Sequence, residues 1–332
     1  MAARLLVVLV NYNSGEHLGR CLSALRAALA GRAWSGVVLD NASTDRSASD
    51  TAAFAPEVEL VALGANLGFS RAANLGAARG DADLVLFLNP DCRVQSGFLS
   101  PLVAELEAHP RASVVAPVVV NEDGSPQGNA RGDPSMLTGL FGRTTLLSRM
   151  FPSARPTGRA VVRPSALPAG SAGAEVDWVA GSCMLVRRAA FEQVGGFDER
   201  YFLYWEDADL CRRLRGAGWT IRIRADAQVV HIGALSSRTA KALAIGAFHR
   251  SAYLYYRTHV APSPLDPRRW AAALLLAARP GVKLIANRAP GTCCAAVGAA
   301  RPAEPRAAAS WGTVPARGLH RPVAVFAPLR HQ

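Results

Sequence analysis

Residues Leu5 to Val10 form an unbroken apolar run that closes on polar Asn11, and beyond Asn13-Ser14-Gly15 the leucines Leu18, Leu22, Leu25 and Leu29 recur at helical spacing. A run without alternation fits a strand covered on both faces, and the three-to-four-residue period fits a helix packed on it. The same alternation continues. Val37 to Leu39 reads as a strand ending in Asp40-Asn41-Ala42-Ser43-Thr44-Asp45, and Val58 to Leu63 as a strand before a glycine-punctuated loop. A helix follows from about Ser70 to Arg79, and Leu84 to Leu88 is an apolar strand entering Asn89-Pro90-Asp91.

Residues 129–175 are rich in Pro, Gly, Ser and Arg with little periodicity, the signature of a long excursion or mobile loop. Regular structure is expected again from Val176. It comprises a strand into Gly181-Ser182, a short helix near Arg188 to Val194, the Gly195-Gly196 turn, a helix from Glu206 to Arg215, and strands near Thr220 to Arg224 and Gln228 to His231. No internal repeat is present. Strands alternating with helices predict an α/β fold with a mostly parallel central sheet flanked by helices. Ligands of such sheets bind outside the carboxyl ends of the strands, so Asn11, Asp40 and Asp91 are expected at one edge.

Half of the 332 residues are apolar and 19% are charged, enough for one large core and an appendage. The six cysteines show no paired metal-ligand spacing and read as free thiols in a reducing compartment. The apolar start lacks a small-residue cleavage site and is too short to span a bilayer, which favours a buried strand over a signal peptide. The formal net charge of +12 is uneven: residues 261–332 hold ten Arg or Lys against two Asp or Glu, about +8 in all. Aromatic interleaving of the kind that binds single-stranded nucleic acid is missing there. Ala271 to Ala278, flanked by Arg268, Arg269, Arg279 and Lys283, suits either an interfacial amphipathic segment or a surface helix.

Pro90 cannot continue a ladder, so the strand must stop and deliver Asn89 and Asp91 at its end, although Asn-Pro-Asp is also good turn chemistry. At 100° per residue Asp207 shares a helix face with Leu210, Cys211 and Leu214, whereas Asp209 falls on the opposite, solvated side within reach of Arg213. A helix-start charge would account for Asp207 as well. The turn Gly195-Gly196-Phe197-Asp198-Glu199 could bring Asp198 and Glu199 to the rim of the same cavity. His231 ends an apolar run and reads as a core histidine unless Asp91 is close. Gly64-Ala65-Asn66-Leu67-Gly68-Phe69 is neither a Walker loop nor a dinucleotide fingerprint, which removes the main support for P-loop enzymes and nicotinamide oxidoreductases.

Taken in order, Val8 to Asn13, Val38 to Asp45, Asn66 to Phe69, Leu88 to Asp91, and Phe197-Asp198-Glu199 through Trp205-Glu206-Asp207-Ala208-Asp209-Leu210 resemble the family-2 glycosyltransferases of the GT-A fold. The likeness is to their bacterial rhamnosyltransferase-like branch and covers about residues 4–260. It implies a catalytic domain over 1–260 and a basic extension over 261–332. It implies that Asn11, Asn13, Asp40, Asn41, Ser43, Asn66, Gly68, Asn74 and Asn89 line the nucleotide-sugar pocket, and that Asp91 and His231 bind Mn²⁺ or Mg²⁺. In this chain Asn89 replaces the first acid of the family's Asp-x-Asp motif. Asp207 is the expected general base, with Glu206 second, and Asp198, Glu199 and Trp205 lie on the acceptor side.

The implied reaction is inverting transfer from a nucleotide-sugar donor, dTDP-L-rhamnose first and a UDP-hexose second, to a cell-surface glycan or lipid-linked saccharide. The implied location is the cytoplasm, with peripheral contact to an anionic membrane at its inner face left open and nucleic acid excluded as a partner. A sugar-nucleotide nucleotidyltransferase would need a basic, glycine-rich phosphate loop after the first strand, where Asn11-Tyr12-Asn13-Ser14 stands instead. A non-catalytic assembly subunit sharing the fold would not need Asp91, Asp207 and His231 intact.

Overall fold

The computed structural model describes residues 3–133, 172–233, 241–274 and 276. The apolar run at the start is β1 (Leu5–Asn11), followed by α1 (His17–Ala28), β2 (Trp34–Asp40), a 3₁₀ segment (Ser47–Phe54), β3 (Val58–Ala62), α2 (Phe69–Ala77) and β4 (Leu84–Leu88). Then come β5 (Cys92–Val94), α3 (Leu99–Ala108), β6 (Ala112–Val120), β7 (Ala130–Arg131), β8 (Gly173–Val176), β9 (Trp178–Val179) and β10 (Cys183–Arg187). The chain continues through α4 (Arg188–Gln193), α5 (Glu206–Gly216), β11 (Thr220–His231), α6 (Lys241–Tyr255), a π-turn (Tyr256–Val260) and α7 (residues 267–274).

Nine strands form one sheet in the order β3-β2-β1-β4-β10-β6-β11, with β8 and β5 sharing the outer edge of β11. Strands β1 to β4, β6 and β11 run one way, while β10, β5 and β8 run the other. The expected α/β class and mostly parallel sheet are therefore observed. Within β1, Leu6 and Val8 face the layer of α2, α4 and α5, and Leu5, Val7 and Leu9 face that of α1 and α3. Burial on both faces explains why the strand reads as a continuous apolar run.

Three expectations need correction. The stretch 129–175 is not irregular at its ends: β7 pairs with β9 and β8 pairs with β11, while residues 134–171 lie outside the described residues. The two strands anticipated between Thr220 and His231 are one, broken only by a register shift between Arg224 and Gln228. The sequence reading also passed over α3 and β6. Pro117 argues against a central strand, yet it stands opposite Arg224, where the register slips and no regular ladder bond is required of it.

The loop into α2 depends on one glycine. Gly68 has a φ of +81°, and a Cβ there would lie 2.4 Å from the carbonyl oxygen of Phe202, which accepts the first N–H of α2 from Phe69 at 2.7 Å. Gly68→Ala is expected to cost about 2–5 kcal/mol, from left-handed backbone plus overpacking. Gly64→Ala has a φ of +70° and open space, and should cost only about 1–2 kcal/mol. Denaturant unfolding of the two variants checks this, and equal costs would refute the close-approach account.

Candidate active site

The carboxyl ends of β1 and β2 carry one connected polar network. Asn11 is buried, and its Nδ2 lies 2.8 Å from Asp40 Oδ1, 2.9 Å from Ser47 Oγ and 3.1 Å from Ser43 Oγ. Asp40 is held from its other side by the Ser43 hydroxyl and backbone N–H, at 2.6 and 3.1 Å. Asn13, in left-handed backbone, accepts from the Thr44 N–H at 2.7 Å. Asn41 spans to the glycine loop, accepting from Leu67 N–H and donating to Gly68 carbonyl, and Asn66 accepts from Gly68 N–H. Asn11, Asn13, Asp40, Asn41, Ser43, Asn66 and Gly68 thus come together, as a preformed wall whose groups are already oriented.

The next strand end holds the cation candidates. His231 Nε2 lies 3.2 Å from Asp91 Oδ1 and 3.4 Å from Asn89 Nδ2. Gln127 fixes the imidazole: its Nε2 donates to the His231 carbonyl (2.6 Å) and to Asn121 Oδ1 (2.9 Å), so its Oε1 is the atom facing His231 Nδ1 at 2.9 Å. Nδ1 therefore donates to Gln127, and Nε2 is the ring nitrogen that faces the carboxylate. A proton on Nε2 would make this an ion pair, and a histidine oriented through its other nitrogen beside a carboxylate also has the arrangement of a metal ligand pair. Cys92 is within reach of both. Burial pushes its thiol well above the usual range, and it donates to the Ser182 carbonyl at 3.3 Å, so it stays a protonated core group. The donor set fits a hard divalent ion on Asp91 and His231.

Gly181 and Ser182, leading into β10, join the two halves of the site. The Gly181 N–H donates to Asp207 Oδ2 at 2.9 Å, and the Ser182 carbonyl accepts from Asn89 N–H at 2.9 Å. Asp207 also accepts from Ala208 N–H at 2.7 Å. Burial raises the pKa of Asp207, and these donors, with the Arg131 cation, pull it part of the way back. Glu206 is 6% exposed, and its Oε2 is buried without a hydrogen-bond partner. Burial first, and then the charge of Asp207, drive Glu206 far above the carboxylate range. Of the pair, Asp207 ionises first and Glu206 stays protonated.

A carboxyl whose folded pKa exceeds its unfolded value contributes stability below the unfolded pKa and loses it as pH rises through the folded one. Stability should therefore decline as pH rises through the elevated Glu206 pKa. Glu206→Gln is expected to flatten that decline in thermal melts across a pH series. An unchanged slope would show that Glu206 is not the titrating group.

Other expected positions fall differently. Asp209 is the most buried acid of α5, at 1% exposure, because α6 and the π-turn cover the face that a helical wheel leaves to solvent. There Arg213 Nε and His259 Nε2 each lie 2.7 Å from its carboxylate. Asn74 is not turned to the donor network. Its amide exchanges two hydrogen bonds of 2.9 Å with the Phe197 backbone and donates to Glu199, clasping α2 to the Gly-Gly-Phe-Asp-Glu turn. Asp198 pairs with Arg200, and Glu199 lies 3.7 Å from Arg71, so both serve that turn. Trp205 caps α5 in left-handed backbone and packs on Phe248 and Tyr255 of α6. Gln127, Ser47, Arg131, Gly181 and Ser182 were not foreseen, since none stands in a distinctive local pattern.

With this geometry in hand, comparison with known proteins is informative. The sequence model of Glycosyl transferase family 2 matches residues 6–195. The N-acetylglucosaminyl-diphospho-decaprenol L-rhamnosyltransferase of Mycobacterium tuberculosis is 37% identical over 279 residues, spanning 80% of this chain and 87% of that protein. The dTDP-rhamnosyl transferase RfbF of Shigella flexneri is 24% identical over 77% of this chain and 78% of its own. Among solved structures, the mannosyltransferase PcManGT of Pyrobaculum calidifontis, in complex with GDP-Man and Mn²⁺, superposes with a TM-score of 0.52 at 18% identity. That alignment covers 88% of this chain and 77% of that one, and supports the GT-A fold.

Proposed function

Since this chain belongs to glycosyl transferase family 2, within its rhamnosyltransferase-like range, and is a glycosyltransferase, we propose that it carries out metal-dependent, inverting transfer of L-rhamnose from dTDP-L-rhamnose to a lipid-diphosphate-linked saccharide. The observation that carries the reading is the Gly181-Ser182 dipeptide, which holds Asp207 on one residue and the Asn89-Pro90-Asp91 strand end on the next. Donor side and acceptor side are thereby fixed relative to each other. The names of two relatives supply the donor sugar, and the decaprenol-linked acceptor of one supplies the lipid.

In this reading the Asn11–Asp40–Ser43 wall receives the nucleoside, with Asp40 against the edge of its base. A divalent ion held by Asp91 and His231 supplies positive charge to the departing nucleoside diphosphate. Asn89 orients the diphosphate side. Asp207 takes the proton of the acceptor hydroxyl as its oxygen bonds to the anomeric carbon and the bond from that carbon to the diphosphate oxygen breaks. A single base and one displacement invert the anomeric centre. Asp207's raised pKa brings it nearer the operating pH, where a base transfers protons well.

A donor screen by thermal shift tests the proposal. With Mn²⁺ or Mg²⁺ present, dTDP-L-rhamnose should raise the melting temperature, and chelation should reverse the gain. A shift by a UDP-hexose alone would move the donor assignment to that sugar. No shift with any sugar nucleotide, or a shift indifferent to metal, would refute the reading.

A further inference from the structure

Beyond the site, the segment that follows the π-turn is built unlike the rest of the surface. Helix α7 buries Ala272 against Tyr256 and Ala261. Trp270 and Leu274, one turn apart, point to the opposite side and are 61% and 75% exposed. Leu265, in the turn before α7, is 90% exposed. The indole N–H of Trp270 donates to the Pro264 carbonyl at 2.9 Å. Its one polar atom is therefore satisfied within the protein, and the exposed ring has no need of water. Three large apolar groups within ten residues form a patch that a water-soluble surface gains nothing by presenting.

The same C-terminal segment carries unpaired charge. Arg250 and Arg257 are exposed, Arg269, next to Trp270 in the helix, is half-exposed, and none of the three enters an ion pair among the described residues. Arg268 is neutralised by Asp266. The remaining sequence, residues 277–332, adds eight Arg or Lys against one Glu. No helix among the described residues is long and apolar enough to cross a membrane. Exposed apolar side chains on a segment rich in unpaired cations are complementary to one surface above others, the headgroup boundary of an anionic bilayer, with rings and leucines entering the acyl margin and guanidinium groups on the phosphates.

We infer that Leu265, Trp270 and Leu274, with Arg269 beside Trp270 and the unpaired Arg250 and Arg257 of the preceding helix and π-turn, form a membrane-docking surface for anionic phospholipid. The inference rests on the lipid-linked acceptor proposed above for its purpose, but not for its evidence. The surface connects to the site through one aromatic chain: Tyr256, against which α7 packs, adjoins Tyr255, whose ring lies 5.3 Å from that of Trp205, the residue capping α5 just before Glu206 and Asp207.

Co-sedimentation of the full-length protein with vesicles of equal parts phosphatidylcholine and phosphatidylglycerol tests this, with no sugar nucleotide or acceptor added. The wild type should bind these vesicles and not pure phosphatidylcholine. Leu265→Ser/Trp270→Ser/Leu274→Ser should weaken binding roughly tenfold or more. Arg250→Gln/Arg257→Gln/Arg269→Gln should weaken the preference for phosphatidylglycerol. Melting temperature and the donor-induced thermal shift should be unchanged in both. Should the triple serine variant fail to fold, quenching of tryptophan fluorescence by lipids brominated on their acyl chains decides: it should be present in the wild type and reduced in Trp270→Phe. Absence of wild-type binding, full binding by the serine variant, or a patch that instead holds two copies together by light scattering would each overturn the inference. Because no substrate is present, such a failure leaves the glycosyl-transfer reading standing, and a failed donor screen leaves this one standing.

Discussion

Asp207→Asn lowers glycosyl transfer by roughly 10³-fold while leaving sugar-nucleotide affinity within a few-fold, the loss expected when a positioned general base is removed without disturbing the donor wall. The substitution keeps the shape of the side chain and one acceptor oxygen, so one of the hydrogen bonds from the Gly181 and Ala208 N–H groups is kept and the other is lost. What it removes is the capacity to take the acceptor's proton. In the wild type, transfer should fall as pH drops through the raised Asp207 pKa, because the protonated carboxyl is no base. Glu206→Gln should change turnover far less, since Glu206 is already held protonated by burial. Steady-state kinetics with isothermal titration of the donor separates the two effects. Near-wild-type turnover by the Asp207 variant, or a loss confined to donor binding, would remove Asp207 from this role.

The second large effect concerns the cation. Asp91→Asn and His231→Ala should each abolish metal-stimulated transfer, and excess Mn²⁺ or Mg²⁺ should not restore it, because each change removes a proposed ligand. Gln127→Ala is the informative partner. Gln127 touches no proposed substrate atom but holds the His231 Nδ1–H, so its loss should weaken metal affinity by roughly 10–100-fold and be rescued by raising the metal concentration. Metal titrations of activity, with Mn²⁺ binding followed by electron paramagnetic resonance, distinguish the cases. A Gln127 variant with wild-type metal affinity would break the link between the fixed tautomer and cation binding.

The parts of this site that the sequence made legible are those where local pattern and tertiary role coincide. The β1 run ends at Asn11 and the β2 run at Asp40, and a parallel register then places those residues side by side at 2.8 Å. Asp91 follows a proline that stops its strand, so its position at the sheet edge follows from local chemistry alone. Asp209 was misplaced because a helical wheel knows only its own helix, and the covering residue, His259, comes fifty positions later from the π-turn. Asn74, which the family resemblance puts among the nucleotide-sugar residues, bonds the Phe197 backbone, a partner from another element that no local pattern announces. Gln127 carries no local signal at all. Its importance arises from three simultaneous hydrogen bonds to Asn121 and His231, which only the assembled fold defines.

The same distinction applies to α5 and its surroundings. The apolar stripe of α5 was evident from Leu210, Cys211 and Leu214, all buried. The hydrogen bonds that Gly181 and Ala208 give Asp207 were not, because Gly181 reads only as the end of a strand. Left-handed backbone at Tyr204 and Trp205 was equally invisible, since neither residue type favours it. Strain of that sort persists where surrounding packing fixes it, and here Phe248 and Tyr255 hold the Trp205 ring at the entrance to α5.

If these residues make one inverting, metal-dependent transfer site, the anomeric configuration of the product shows it, read by NMR after incubation of the full-length protein with dTDP-L-rhamnose, Mn²⁺ and a lipid-diphosphate-linked saccharide. The expected product is a rhamnosylated acceptor whose new linkage has the opposite anomeric configuration to the donor, formed only with metal present and absent from the Asp207→Asn variant. A product that retains the donor's configuration, or one formed equally well after chelation, would contradict it.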